Sequence, residues 1–451
     1  MNLRMKSLIT GLCLAWALPV HALSLLEGYR LAKTRDPVYR AAQAEREAGE
    51  ANRALGRAQL LPVIAASGSR MEVEGDQRYP STNPLTRKTT TVVRELDYVS
   101  KNGTIQLRQP IFNLQRWAEY RQGQLRADYS EAVFSKKEKD LAVRYLTAYL
   151  DVLLARETLA LAEAKVSALK EQQAQTDRQF ELGDGTLTDK KEVEARLSLA
   201  QAQVLEAQDQ FGIASRTLGA IIGEAPSGLH QPRAENLAQL RTPPAETLQR
   251  WLELAVTNSP DLHASQKNVE LSKQEITKAR SGHFPTIDFI ASRSHATSES
   301  ITTIDQRTLS NSIGFQVNIP IFAGGSVSAQ TDQARARLTQ AQFELDNVRS
   351  QIELEVNKQY AGVVNGIAKT EALLKAVASS EEALKASRIG FRAGVRTTTD
   401  ILNAEEQRFT ARRELAQASY GMLASWIRLR ATSGTLLEED LVRLDDLFRR
   451  S

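Results

Sequence analysis

Two short stretches carry the residue types best suited to ion chemistry, Thr186-Leu187-Thr188-Asp189 and Arg396-Thr397-Thr398-Thr399-Asp400. In each, a carboxylate follows a threonine-rich turn that opens a helix, so capping of the helix N-terminus accounts for Asp189 and Asp400 without any further role. Arg396 reads as a solvated turn residue. Gly183 and Gly394 lie just upstream as helix-terminating residues that permit left-handed backbone, and Phe180 and Phe391 read as aromatics packed at the same hinges. No catalytic set accompanies them. The chain has no phosphate loop, no HExxH and no nucleophile elbow, and His230, His263, His283 and His295 lack ligand spacing. The expectation is a non-enzyme with no cofactor and no metal.

Composition excludes further classes. Lys and Arg number 58 against 54 Asp and Glu, a formal charge of +4, and no basic run forms a nucleic-acid footprint. At the N-terminus, Arg4 and Lys6 precede an apolar run over residues 8–20, followed by Val20-His21-Ala22. That pattern predicts an export signal over residues 1–22 and a mature chain from Leu23. A retained N-terminal anchor is the competing reading, against which the run is too short to span a bilayer. The single cysteine, Cys13, falls inside the run, so the mature chain is expected to be thiol-free, as suits an oxidising periplasm. No other stretch approaches the ~20 consecutive apolar residues of a spanning helix. Entry into a membrane would have to be by strands.

Those residues are positioned by a duplicated framework. Leu31, Ala32, Pro37, Arg57, Pro62, Ser69 and Arg70 recur as Leu254, Ala255, Pro260, Arg280, Pro285, Ser292 and Arg293, all at an offset of 223. Pro110-Ile111-Phe112 recurs as Pro320-Ile321-Phe322 at 210. Beyond it, Tyr149, Phe180, Gly183, Asp189 and Gly223 pair with Tyr360, Phe391, Gly394, Asp400 and Gly434 at 211. The expected division is a leader (1–22), a first repeat (23–223), a linker (224–245), a second repeat (246–434) and a C-terminal tail (435–451).

Each repeat opens with alanine-rich helix, about residues 24–60 and 245–283, stopped by Pro62 or Pro285. Alternating segments follow. Ile313, Phe315, Val317 and Ile319 interleave with Ser312, Gly314, Gln316 and Asn318, and Ile105 and Leu107 with Thr104, Gln106 and Arg108. Thr-, Ser- and charge-rich loops are expected around 74–97 and 294–309, between the strands of one hairpin per repeat, with Pro62, Pro110, Pro285 and Pro320 at strand–helix corners. Long helices are expected over 112–182 and 322–393, each reaching about 100 Å if continuous. In the second, Leu338, Ala341, Leu345, Val348 and Ile352 give coiled-coil spacing. Third helices, about 188–222 and 399–433, can fold back antiparallel. Four such strands do not close a barrel, and an open edge in lipid strands backbone groups without partners. The chain is therefore expected to oligomerise, with Thr104, Gln106, Arg108, Gln316 and Asn318 wetting a lumen and Ile313, Phe315 and Val317 meeting outer-membrane lipid. A soluble sandwich is the alternative.

Over nearly its whole mature length the chain resembles the TolC-like outer-membrane factors. The segments that carry the resemblance are RDPVYRAAQAEREAGEANRALGRAQLLP, QPIFNLQRW, NIPIFAGG, FRAGVRTTTDILNAEEQRF and SGTLLEEDL. It implies an α plus membrane-β fold: a homotrimer whose four strands per chain complete a twelve-stranded barrel in the outer membrane of a Gram-negative bacterium. A long antiparallel helical coiled-coil tunnel in the periplasm would follow, with a collar built from residues 227–244 and 435–451. The implied role is a passive exit duct fed by an inner-membrane ABC transporter or proton-driven pump through a periplasmic adaptor, the membrane fusion protein. The first segment and the compact C-terminus look more like the type I protein-secretion branch than drug efflux, which stays open as the alternative. A purely structural tether or a self-contained porin are further readings, separable by single-channel conductance.

The resemblance also implies a gate at the periplasmic end. Carried over by motif, Asp400 takes the position of a pore-constricting aspartate. Arg396 matches a gate arginine that links to Thr188, Asp189 or Gln172 on neighbouring helices. Two departures occur: Phe391 stands where a tyrosine is usual, and Asn403 where a second aspartate is, so a looser latch and a single acidic tier are expected.

Overall fold

The computed structural model describes residues 23–226, 228–230, 246–300 and 303–449. The expected leader (1–22), most of the linker and the last two residues lie outside the described residues. The chain divides into two compact units, Met1–Ala41 with Lys137–Ser259 and Ile352–Ser451, and Ala42–Lys136 with Pro260–Gln351. Each unit draws on both halves of the sequence.

The opening helices are not single. Helix α1 (Leu25–Arg35) stops at Asp36 and α2 (Pro37–Ala58) starts at once. Likewise α5 (Leu248–Asn258) stops at Ser259 before α6 (Pro260–Arg280). The cause is the same at both breaks, since a proline pushes the residue before it out of helical geometry, and Asp36 and Ser259 are extended, with ψ of 119° and 121°. The two long helices are α3 (Leu114–Glu181) and α7 (Ser326–Arg392), of 68 and 67 residues. Helices α4 (Leu187–Ile222) and α8 (Thr398–Thr432) follow them, and α9 (Glu438–Arg449) ends the chain.

The second unit contains one four-stranded antiparallel sheet in the order β1 (Val63–Thr82), β2 (Thr89–Phe112), β3 (Thr286–Ser300), β4 (Thr303–Asn318). The hairpins are longer than their apolar alternation indicates. Residues 74–82 and 89–97 are strand, and the turn of the first hairpin is confined to 83–88. The expected loop at 294–309 is strand as well, except around the undescribed 301–302. Charge and threonine do not break a ladder whose facing backbone groups find cross-strand partners, and here β1 pairs with β2 rung by rung from Val63↔Arg108 to Thr82↔Thr89. Pro110 is not at a corner either. It sits buried in β2, at a register shift against β3, where a missing N–H is tolerated.

The sheet has two unlike faces. Residues opposed across a ladder share a face, which puts Thr104, Gln106, Arg108, Asp288, Gln316 and Asn318 on one side. There Arg108 Nε donates to Asp288 at 3.1 Å. The other side carries Ile64, Ile105, Ile313, Phe315 and Val317, all more than half exposed. Among the described residues neither edge strand, β1 or β4, has a partner on its outer side.

Beneath the sheet, α2 and α3 approach so closely that a Cβ on Gly123 would lie 2.5 Å from the Asn52 carbonyl oxygen and 2.8 Å from Gly56 Cα. Backbone does not yield as a flexible side chain does, so Gly123→Val is expected to force the helices apart and lower the yield of folded protein, measured by far-UV dichroism and protease resistance. Gly421→Ala, which meets nothing within 4 Å, serves as its control.

The first unit is anchored by a run of aromatics in tilted and edge-to-face contact. Tyr145 and Tyr149 on α3 are fully buried, with ring centroids 6.1 Å apart. Tyr29 of α1 stands 6.0 Å from Tyr145, and Phe448 of α9 stands 6.0 Å from Tyr149. Tyr145 donates to the Leu25 carbonyl at 2.8 Å and Tyr149 to that of His230 at 3.1 Å. Asp36, also buried, accepts from the Tyr39 N–H at 2.7 Å and from Arg144 at 3.0 Å.

Candidate gate site

The stretches 182–186 and 393–397 are tight helix–helix turns built alike. After α3, Gly183 adopts φ 81°, its N–H donates to the Phe180 carbonyl at 3.1 Å, and Asp184 N–H reaches the Gln179 carbonyl at 2.9 Å. After α7, Gly394 adopts φ 73°, bonding Phe391 at 3.0 Å while Val395 bonds Gly390 at 2.9 Å. This pair of bonds around a left-handed residue closes the last helical turn and requires glycine there. The next helix then opens on threonine rather than on the aspartate. Thr186 and Thr397 are the N-caps, accepting from the N–H of Asp189 at 3.1 Å and of Asp400 at 3.2 Å. Asp400 completes the box by accepting from the Thr397 N–H at 2.8 Å and its hydroxyl at 2.9 Å.

Those Thr397 bonds, helped by Arg396, hold the Asp400 carboxyl below the usual carboxylate range. The sign follows: a depressed folded-state value means that the cap's contribution is complete above the ordinary carboxylate value and is lost as pH falls through the folded one. Protection of the first-turn amides of α8 against hydrogen exchange, measured relative to the intrinsic rate at each pH, is expected to stay level down to about pH 4 and to fall below it. In Asp400→Asn, that acid-dependent step disappears.

Arg396 Nη1 reaches Asp400 at 3.4 Å. Within the chain it does not reach Thr188, Asp189 or Gln172. Thr188 is exposed, Asp189 pairs with Thr186, and Gln172 is buried along α3. Phe391 packs on the cluster of Leu384, Ile401 and Ala404, whereas Phe180 is not a packed aromatic: it stays 41% exposed, with the Lys190 ammonium 5.7 Å from its ring centre. The links that join the two helical hairpins tie Asn403 and Thr399, both within the stretch singled out in the sequence, to Arg196 and Glu192, which sequence reasoning passed over. Arg196 donates to Asn403 Oδ1 at 2.9 Å, and Thr399 donates to Glu192 Oε2 at 2.8 Å. Glu192 and Arg196 also pair with each other at 2.9 Å, four residues apart, which was the one signal the sequence offered. Below them Arg388 holds the buried Glu405 at 2.6 Å. Among the described residues no cluster of His, Cys, Asp or Glu suits a metal ion, and no helix is long and apolar enough to cross a membrane.

The family profile "Outer membrane efflux protein" matches residues 28–224 and 251–435. The chain belongs to that family. Within the outer membrane efflux proteins, the proteases secretion protein PrtF of Dickeya chrysanthemi is 36% identical over 434 residues, covering 95% of this chain and 92% of PrtF. The alkaline protease secretion protein AprF of Pseudomonas aeruginosa is 36% identical over 424 residues, covering 93% and 86%. The crystal structure of the outer membrane protein VceC of Vibrio cholerae shares the fold, with a TM-score of 0.77 at 17% identity over 91% of this chain and 96% of that one. The TolC-like resemblance is thereby met, and this efflux-family chain is an outer-membrane protein.

Proposed function

We propose that three copies of the chain close a twelve-stranded barrel and form a passive exit duct for proteins in type I secretion. The observation that carries the reading is the sheet itself: two hydrophobic hairpins with a wet face, an exposed oily face and two open edges. Lipid does not tolerate unpaired backbone, so β4 of one copy pairs with β1 of the next. The proposed chain is processed after residue 22 and duplicated over 23–223 and 246–434. Of the proposed collar, Phe448 in the tail and His230 in the linker meet Tyr149, and most of the rest of the linker lies outside the described residues. A periplasmic adaptor and an inner-membrane ABC transporter supply substrate and energy, and the duct itself does no chemistry.

The protein-secretion branch is supported by PrtF and AprF, whose names concern protease secretion. Deleting the gene from a cell that exports a type I protease is expected to leave the protease out of the medium with drug susceptibility unchanged. Drug hypersensitivity with normal protease export would instead select the multidrug-efflux alternative.

At the gate, Asp400 lines the mouth. Arg396 exchanges its own-helix partner for Thr188, Asp189 or Gln172 of an adjoining copy, and Asn403 holds Arg196 where a second carboxylate would add charge. Gly183 and Gly394 let the turns pivot, with Phe391 as the packed pivot residue. In planar bilayers Asp400→Ala is expected to weaken block by multivalent cations at least tenfold, and Arg396→Ser to raise closed-state conductance. If both recordings match the parent, these residues are not the gate.

A further inference from the structure

The first hairpin extends well past the oily band, and its two faces exchange character on the way. Up to Ser69 and from Asn102, the face bearing Thr104 and Gln106 is polar and the opposite face, with Ile64 and Ile105, is apolar. Beyond that level, the continuation of the wet face carries Met71, Val73, Tyr79, Val92, Leu96 and Tyr98. The continuation of the oily face carries Glu72, Glu74, Asp76, Arg78, Glu95 and Asp97, with Val93 and Val99 among them. No register shift interrupts the ladder from Val63↔Arg108 to Thr82↔Thr89, so the strands do not swap sides. The side-chain chemistry does. Ser100 opposite Met71, and Gln77 and Arg94 opposed on one rung, are the polar breaks in the apolar set. Shelter follows the same inversion: Val73, Tyr79, Val92, Leu96 and Tyr98 are half-buried, while the five carboxylates and Arg78 opposite are exposed. Among the described residues the second hairpin has no counterpart, since the outermost β3–β4 pair is Ser300↔Thr303.

We infer that this apolar inner face packs against the same face on two further copies of the chain, forming a hydrophobic closure above the outer mouth of the barrel. The inference rests on the trimer proposed above. In that barrel the wet face looks toward the axis, and the uninterrupted ladder keeps Val73, Leu96 and Tyr98 on the continuation of that face as the hairpin leaves the barrel. The only surfaces across the axis are the two sister hairpins. Apolar side chains facing inward are withdrawn from water by that contact, and the charged outer face remains solvated.

The absence of cysteine after Cys13 makes the test direct. Leu96→Cys and Asp97→Cys are introduced singly in the full chain, and intact cells are treated with a short bis-maleimide or a bulky membrane-impermeant maleimide. Leu96→Cys is expected to cross-link between copies and to label at least tenfold more slowly than Asp97→Cys, which labels freely and does not cross-link. Equal labelling without cross-linking, in protein that has trimer mass in detergent, overturns the closure alone. Monomer mass overturns the trimer reading and the closure with it. As a second readout, Leu96→Asp with Tyr98→Asp, introduced alongside Arg396→Ser so that the periplasmic gate is already released, is expected to raise bilayer conductance severalfold over Arg396→Ser alone. Unchanged conductance in a folded trimer also counts against the closure.

Discussion

Ile313→Arg will keep the protein out of the outer membrane. Ile313 lies on β4, 78% exposed, on the face it shares with Phe315 and Val317 and with no polar neighbour opposite, since Ala291 is its cross-strand partner. An arginine facing the bilayer midplane costs about 2–4 kcal/mol in a membrane barrel, and the cost recurs in every copy of an oligomer. The expected result is a fall of more than tenfold in chain recovered from outer-membrane fractions and in oligomer that resists detergent, with the remainder degraded or aggregated. Gln316→Arg, on the opposite face of the same strand, is expected to insert normally. Reversed outcomes for the two variants would mean that the faces of the sheet have been assigned the wrong way round.

The second large effect belongs to the run of aromatics. Tyr145 is fully buried, stands between Tyr29 and Tyr149, and ties α3 to the start of α1 through the Leu25 carbonyl. Helix α1 also leans directly on it, because a Cβ on Gly28 would meet the phenol oxygen at 2.2 Å. Tyr145→Ala removes a ring and leaves a cavity, a change that costs roughly 3–5 kcal/mol in protein cores. Tyr145→Phe keeps the ring and loses one hydrogen bond, a cost of about 1 kcal/mol, rising if the Leu25 carbonyl finds no other donor. Thermal melts of the detergent-purified protein should rank parent, Phe variant and Ala variant in that order, with the wider gap before Ala. Near-equal losses would transfer the weight of the anchor from packing to the hydrogen bond.

Much of the framework was legible because it depends on signals that are local and repeated. Prolines, left-handed glycines and apolar spacing set the long helices and their turns to within a few residues, and α3 and α7 fall inside the stretches read from sequence. The breaks before Pro37 and Pro260 were equally local and were marked by turn-type residues, Asp36 and Asn258-Ser259, but the helix-forming sequence that continues past each proline masked them. Strand length was not legible. Residues 74–97 are rich in charge and threonine, and only the cross-strand partners in β1 and β2 show that their backbone is paired. Pro110 looked like a corner because strand proline is uncommon, and a bulge against β3 accommodates it.

The gate was legible in its turns and not in its ties. Capping chemistry is encoded within four residues, so Asp189 and Asp400 were placed at helix starts, one position class away from the threonines that do the capping. The bonds of Arg196 to Asn403 and Thr399 to Glu192 join residues 207 apart, a separation at which spacing carries no information. Phe180 and Phe391 occupy matching positions in the repeats, yet only Phe391 has a hydrophobic cluster to enter.

The two turns share a backbone and differ in charge. One presents Asp189 with Lys190 bound to Asp177, the other presents Asp400 with Arg396. A ring assembled from three such chains would alternate unlike tips, giving an aperture with the outline of a hexagon and the electrostatics of a triangle. A blocking molecule designed for it should therefore carry three cationic arms at 120°, not six, and its affinity should depend on the spacing between alternate tips alone.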